Sequence, residues 1–399
     1  MNGTVEEHLA AFKRVAVDLI DEKQLTGMLQ KSLSEGKPLR VKFGMDPSSP
    51  DLHVGHGIPL MVLRDLQDLG HTIVLIVGDS TAMVGDPSGR NKLRPVLSRA
   101  DVAANLATYA EQAGKVLDLS KTEVRQNSEW FDKMDFYDVL KLTGRMTVAR
   151  MLERDTFQKR MQDQEPVGIH EFLYPLMQGW DSVEIQCDAE LGGTDQLFNL
   201  LVGRHLQEQC DQRPQICFTT PLINGADGRK MSKSYGNAIG MTDEPNDMFG
   251  KVMAIEDDLM AEWFRLMTRL PDQEVSDLLA GHPRKAKARL AFEITAYYHN
   301  AELAQTASDA FDSQFRDKQL PTDIPCHGWP SEDSELRLPN LLKDLGLAQT
   351  TSEARRLIEG GGVKIDGEPH LDPKLPVQRP AQEFLIQVGK RRFAKVSRS

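Results

Sequence analysis

The sequence predicts an α/β fold: a Rossmann-type parallel sheet split by a helical connective insertion, then an α-helical domain and a small α+β domain. Three observations carry this. The run TIVLIVGD at 72–79 is apolar on both faces, as a strand in the middle of a parallel sheet must be. It follows a strand and a helical repeat of leucines, which makes 39–79 a βαβ unit. A second helix–strand series occupies about 170–223, beyond a mixed-charge stretch with mainly helical spacing.

In chain order, residues 1–37 read as one or two amphipathic helices, ended at Gly36-Lys37-Pro38 because proline disfavours helix in the residue before it. The expected strand at 39–45 puts Val41, Phe43 and Met45 on one face and Lys42, Gly44 and Asp46 on the other, so its polar face can look into a cleft. After the turn DPSSPDLHVGHG, Leu60, Leu63, Leu66 and Leu69 recur at helical spacing, and Gly70 stands where a helix end favours a left-handed residue. A catalytic domain over 38–240 is then interrupted by a connective, dimer-forming insertion at about 91–166, and its second half ends in the strand QICFTTPLI. Residues 241–320 are rich in helix signals and read as a separate helical domain, and 321–335, with three prolines and a run of acids, as a linker. In 336–399 the pattern LPNLL opens a helix closing near Gly346, and Ser352 can cap a second. Asp366-Gly367 signals a hairpin, and FLIQVGKRRFAKV a second with basic residues at its tip.

Composition narrows the function classes. The 399 residues are 40% hydrophobic and 27% charged, and the net charge of -11 makes the whole chain repel polyanions. Residues 336–399 reverse this, with 12 Lys and Arg against 7 Asp and Glu, leaving -16 for everything before them. A nucleic-acid partner would be met at this C-terminal patch. Cys187, Cys210, Cys217 and Cys326 form no CxxC pair and no zinc pattern, which fits a reducing, cytoplasmic compartment. The longest apolar run, 73–77, is far short of a membrane span, and no repeat is visible, so secreted, membrane and solenoid readings are not expected.

Two motifs carry chemistry. His53-Val54-Gly55-His56 opens the first crossover helix, where unpaired N–H groups, the positive dipole end and two imidazoles can meet phosphate oxygens, with Gly55 letting phosphate approach the backbone. As an isolated pattern it reads equally well as two polar cap histidines. Lys230-Met231-Ser232-Lys233-Ser234 follows the last strand of the second half-sheet in a Gly-rich loop; two lysines there can close over a triphosphate as pyrophosphate leaves. Between them, Tyr174, Gln178 and Asp181 share one helix face and Asp86 sits in a turn beyond TIVLIVGD, a set suited to an α-ammonium group and a phenol.

HVGH with KMSKS on a split Rossmann fold resembles the class I aminoacyl-tRNA synthetases, with Val54 where Ile is common. VGDPSG, YxxxQxxD and Gly192-Gly193-Thr194-Asp195-Gln196 resemble, in order, the tyrosine-site motifs of the tyrosyl-tRNA synthetases, from about residue 39 to the C-terminus. The resemblance implies ATP-dependent attachment of tyrosine to its tRNA through an adenylate, by a homodimer, with Mg2+ accompanying ATP and no tightly bound cofactor or protein metal site. It implies His53, His56, Lys230 and Lys233 as catalytic, with Asp46, Gly55, Gly193, Asp195, Met231 and Ser234 also at ATP. It places Asp86, Tyr174 and Gln178 at the ammonium group and Asp181 at the phenol, with Gly44, Thr81 and Gln196 lining the pocket. Lys42 stands where another branch has a phenol-bonding tyrosine; it either takes that role or pairs with a carboxylate. The C-terminal block resembles the RNA-binding domain of the ribosomal S-four type, which implies phosphate contacts from Arg355, Arg356, Lys390, Arg391 and Arg392. The rival readings are a tryptophan ligase, a silent RNA-binding paralogue and a small nucleotidyltransferase, the last expected to lack KMSKS.

Overall fold

A computed structural model describes residues 1–47, 51–88, 98–232, 235–316, 324–389 and 392–398. The chain divides into two units, Met1–Phe311 and Asp312–Ser399.

The first unit is built on six strands: β1 (Asp18–Ile20), β2 (Arg40–Met45), β3 (Thr72–Val77), β4 (Thr122–Gln126), β5 (Ala189–Gly193) and β6 (Ile216–Thr220). Their order is β1-β6-β5-β2-β3-β4, parallel from β6 to β4, with β1 antiparallel on the edge. From β2 the chain winds outward through β3 to β4, and β5 then starts on the other side of β2. The switch point therefore lies between β2 and β5, and a parallel sheet leaves a ligand crevice there, outside the carboxyl ends of its strands.

The predicted βαβ unit is present, its crossover helix Val54–Asp68 burying Ile58, Met61, Val62 and Leu66 against the sheet, with Gly70 at φ +96° after the helix end. Three expectations need correction. Residues 1–37 are not helical throughout: between helices Val5–Lys13 and Glu22–Glu35, β1 pairs Leu19 with Phe218. The insertion is not only helical and connective, because β4 extends the main sheet, pairing Val124 with Leu75. Both are short edge strands with partly exposed side chains, so neither shows the alternation that marks a half-buried strand. The helices Pro245–Met253, Met260–Met267 and Pro283–Tyr298 put Met248, Trp263, Phe264, Leu290 and Ile294 into the same continuous core as Val41, Ile58 and Phe218, so this stretch shares the core of the sheet.

The second unit pairs β7 (Cys326–Gly328), β9 (Val363–Ile365), β10 (Glu368–Pro369), β12 (Phe384–Val388) and β13 (Arg392–Ser397) in one sheet, with β8 (Glu335–Arg337) and β11 (Pro376–Gln378) as a second pair. Helices Leu338–Asp344 and Thr351–Glu359 cover an apolar core that includes Leu341, Ile358, Val363, Ile386 and Val396. The segment expected as a linker is part of this fold: β7 runs parallel to β13 and Trp329 is buried in the core. The second helix is capped by Thr350, whose hydroxyl accepts from the Glu353 N–H at 3.1 Å, instead of by Ser352. The Asp-Gly hairpin forms as expected, with Asp366 at φ +50° and Gly367 at φ +87°, the left-handed pair that a tight two-residue turn requires. Val388 pairs with Arg392 across the second hairpin.

Candidate active site

A cleft of about 350 Å³ opens at the switch point. It is lined by Gly44, Met45 and Asp46 from the end of β2, Gly192 and Gly193 from the end of β5, the start of the crossover helix, and Lys230 and Met231 beyond β6.

At one end His53 is the N-cap of the crossover helix, with extended φ/ψ of -111° and 165°, and His56 is its third residue. The rings stack with centroids 3.8 Å apart, and His56 Nδ1 accepts from the His53 backbone N–H at 3.2 Å. With Nδ1 accepting, a neutral His56 carries its proton on Nε2, which leaves that atom as the donor. Gly55 is constrained by packing as well as by any ligand: a Cβ there would fall 3.0 Å from the His53 ring and from Ile223. Across the mouth, Lys230 Nζ lies 3.5 Å from Asp195 Oδ2 and is half exposed. Met231 is buried and donates its N–H to the Ile223 carbonyl at 3.0 Å, which ties the loop to the end of β6. Lys233 and Ser234 lie outside the described residues.

At the other end the helix Leu173–Glu184 presents Tyr174, Gln178 and Asp181 to the cleft, as their spacing predicts. Asp86 accepts from Gln196 Nε2 at 2.8 Å and from the Ser88 N–H at 2.8 Å, with Arg154 at 3.3 Å. Asp46, expected only at ATP, is taken up by two residues of the amino-acid set: the Tyr174 hydroxyl donates to it at 2.8 Å and Thr81 at 2.7 Å. Burial, and then the charges of Asp46 and Asp86, push the Tyr174 phenol well above its ordinary value, so it stays a donor. Asp181 is buried and accepts from Trp130 Nε1 at 3.0 Å and Asn127 Nδ2 at 3.5 Å. Burial raises its carboxyl to about 7, against the opposing pull of the Lys42 ammonium and the Trp130 hydrogen bond.

Lys42 does not reach the cleft, which corrects its placement among the residues touching the amino acid. It is fully buried, and its three hydrogens go to the Gln178 carbonyl at 2.6 Å, Ser182 Oγ at 2.9 Å and Glu190 Oε1 at 3.0 Å. Of its two readings, the carboxylate pair is the one that forms. Burial disfavours its charge, but Glu190 and Asp181 outweigh this and raise its pKa. Glu190 also accepts from Gln178 Nε2 at 3.2 Å and Ser182 Oγ at 3.1 Å, and Asn199 donates to Gln178 Oε1 at 2.9 Å and Gln196 Oε1 at 2.8 Å. Asn127, Trp130, Arg154, Glu190 and Asn199 were not picked out by motif. Only Glu190 had a readable signal, an acid in an apolar strand that faces a lysine in the neighbouring strand.

In the second unit Arg355 and Arg356 are exposed on the helix Thr351–Glu359. Arg392 opens β13 with its guanidinium donating to the Leu347 carbonyl at 2.5 Å, 3.4 Å from Glu353. Lys390 and Arg391 lie outside the described residues. The described residues hold no group of three or more His, Cys, Asp or Glu able to ligate a metal.

The family model "tRNA synthetases class I (W and Y)" matches residues 34–316, and the S4 domain matches 336–382. The chain is 49% identical to the tyrosine–tRNA ligase of Thermotoga maritima over 99% of this chain and 98% of the relative. It is 47% identical to that of Moorella thermoacetica over 98% and 96%. Among solved structures, a C-terminally truncated mitochondrial tyrosyl-tRNA synthetase of Aspergillus nidulans superposes with a TM-score of 0.63 at 25% identity, covering 79% of this chain and 95% of that one. The L-tyrosine complex of the Archaeoglobus fulgidus tyrosyl-tRNA synthetase has the same fold, with a TM-score of 0.61 at 22% identity over 77% of this chain and all of that one. On this match, and with the histidine turn and the lysine loop brought to one cleft at the switch point, the chain belongs to the class I tRNA synthetases of the tryptophan and tyrosine family.

Proposed function

We infer that the chain is a tyrosine–tRNA ligase: tyrosine and ATP give tyrosyl-adenylate and pyrophosphate, and the tyrosyl group then passes to the 3'-terminal adenosine of tRNA(Tyr), releasing AMP. The observation that carries this is one cleft with donors for phosphate at one end and the buried acceptor Asp181 at the other. The reaction needs no nucleophile from the protein, because the tyrosine carboxylate itself attacks the α-phosphate. Asp86, Tyr174, Gln178 and Gln196 orient the ammonium group so that this attack is in line. His53, His56, Lys230 and Lys233 hold the phosphates and neutralise charge on departing pyrophosphate. Asp46, Gly55, Gly193, Asp195, Met231 and Ser234 seat the nucleotide, which arrives with Mg2+ as part of the substrate. Asp181 accepts from the phenol, a discrimination for which tyrosine ligases are themselves the standard illustration.

The second unit holds tRNA through Arg355, Arg356, Lys390, Arg391 and Arg392. The insertion exposes Phe136 and Tyr137 at about 70% each, with ring centroids 6.2 Å apart, an apolar surface suited to a second copy of the chain. No helix among the described residues is long and apolar enough to cross a membrane; we place the enzyme in the cytoplasm because the proposed reaction needs ATP and tRNA. Amino-acid-dependent ATP–pyrophosphate exchange tests the reading: tyrosine should support exchange, and exchange with tryptophan alone would overturn it.

A further inference from the structure

The lysine loop is held by one side chain outside its motif. Asn237 is nearly buried and makes four hydrogen bonds. Its Oδ1 accepts from the Ser232 N–H at 2.8 Å. Its Nδ2 donates to Asp227 Oδ1 at 2.6 Å and lies 3.3 Å from the carbonyls of both Arg229 and Lys230. Only an amide places a donor toward three acceptors and an acceptor toward an N–H from one terminal group. The loop is shaped around it. A Cβ on Gly225 would stand 2.6 Å from the Asn237 side chain, so position 225 has no room for any other residue. Asp227 is held in turn by the Arg229 N–H at 3.2 Å and Nε at 2.7 Å.

Directly beyond Asn237 the chain zips onto the histidine turn. The Val54 N–H donates to the Ile239 carbonyl at 2.9 Å, and the Met241 N–H donates to the Leu52 carbonyl at 3.0 Å, with His53 and Gly240 bridged between them. Asn237 thus stands between the backbone that carries Lys230 and the backbone that carries His53 and His56. We propose that Asn237 is a positioning residue for adenylate formation, fixing Lys230 against the two histidines so that both sets of donors meet one phosphate chain. It acts through the loop and touches neither tyrosine nor the reacting atoms. The Asp227 carboxyl, drawn down to about 2 by its bonds to Asn237 and Arg229, keeps its charge on the loop throughout the neutral range.

This rests on the reading of the lysine loop as the holder of pyrophosphate, and the test separates the two. Tyrosine-dependent ATP–pyrophosphate exchange is measured on the full-length wild type, Asn237→Ala, Asn237→Asp, and the pair Asn237→Asp with Asp227→Asn. Wild type without exchange would remove the functional reading itself. With wild type active, the kcat of both single variants should fall on the order of 10²-fold, the scale for a misplaced reacting group, while the KM for tyrosine stays at its wild-type value. Asn237→Asp sets two carboxylates against each other and leaves the Arg229 and Lys230 carbonyls without a donor, and exchanging the amide and the acid restores only the contact between 227 and 237, so the double variant should regain part of the loss. Unchanged kcat in the single variants overturns the proposal. So does a parallel loss of kcat, tyrosine affinity and melting temperature that the double variant leaves unrepaired, since that marks a purely structural residue.

Discussion

Asp181 and Lys42 sit one behind the other, and the charge of each is set by what surrounds it. The Asp181 carboxyl, raised by burial from 3.8 to about 7, is stabilised by folding in its protonated form. That contribution is complete below the unfolded value and is lost as pH rises through about 7, so at pH 8 the ionised group is a cost to the empty enzyme. The phenol, by contrast, needs the ionised form as its acceptor. Tyrosine binding measured by calorimetry should therefore tighten from pH 6 to pH 8, while phenylalanine binding stays flat. Asp181→Asn should raise the melting temperature at pH 8 and lose most of the preference for tyrosine over phenylalanine; equal losses for both amino acids would count against Asp181 as the phenol reader. Lys42→Met leaves the buried Glu190 carboxylate without its counter-charge and should cost about 3–5 kcal/mol in urea unfolding. Adding Glu190→Gln should recover much of that. The Asp181 face was legible because helical spacing aligns it with Tyr174 and Gln178. The burial of Lys42 was not, because alternation gives the face of a strand and says nothing of what covers it.

Elements were legible in proportion to how completely they are buried. The run TIVLIVGD lies in the sheet interior and announces itself, and so does QICFTTPLI. The strands β1, β4 and β7 lie at sheet edges, are three to five residues long, and gain their pairing from partners distant in sequence. A local pattern does not encode such partners. One tie between elements is sensitive to acid. His8 and His71 share a hydrogen bond of 2.8 Å between Nδ1 and Nε2, and His71 Nδ1 accepts from the Leu39 N–H at 3.2 Å, which pins the first helix to the entry of β2. Burial, then the neighbouring His8, lowers His71 from 6.5 to about 3, so folding favours the neutral ring. The stability it contributes is complete above 6.5 and is lost as pH falls toward 3. His71→Gln should flatten the decline of unfolding free energy between pH 6.5 and pH 4; an unchanged slope would place the acid sensitivity elsewhere.

At the scale of the molecule, the basic charge lies inside the second unit, beyond an acidic stretch at its start. The first unit ends at Phe311, and the net positive charge is confined to the second, where 336–399 carries +5 against -16 for all that precedes it. An acidic body can hold tyrosine and ATP in a cleft of its own but gains nothing from the long-range field of a polyanion, so tRNA affinity must come from the basic unit. The cut that tests this follows from β7. Removing only 336–399 would strip β7 of its partner β13 and expose Trp329, whereas removing 324–399 deletes that sheet whole. The shorter chain keeps every described residue that lines the cleft, and its tyrosine-dependent exchange should stay near the full-length rate while aminoacylation of tRNA falls steeply. In the intact enzyme, added salt should weaken tRNA binding far more than tyrosine binding, because phosphate contacts release counterions and a phenol–carboxylate contact does not. If the shortened chain charged tRNA at the full rate, the acidic unit would have to contain the RNA anchor, and the basic patch would have no part in it.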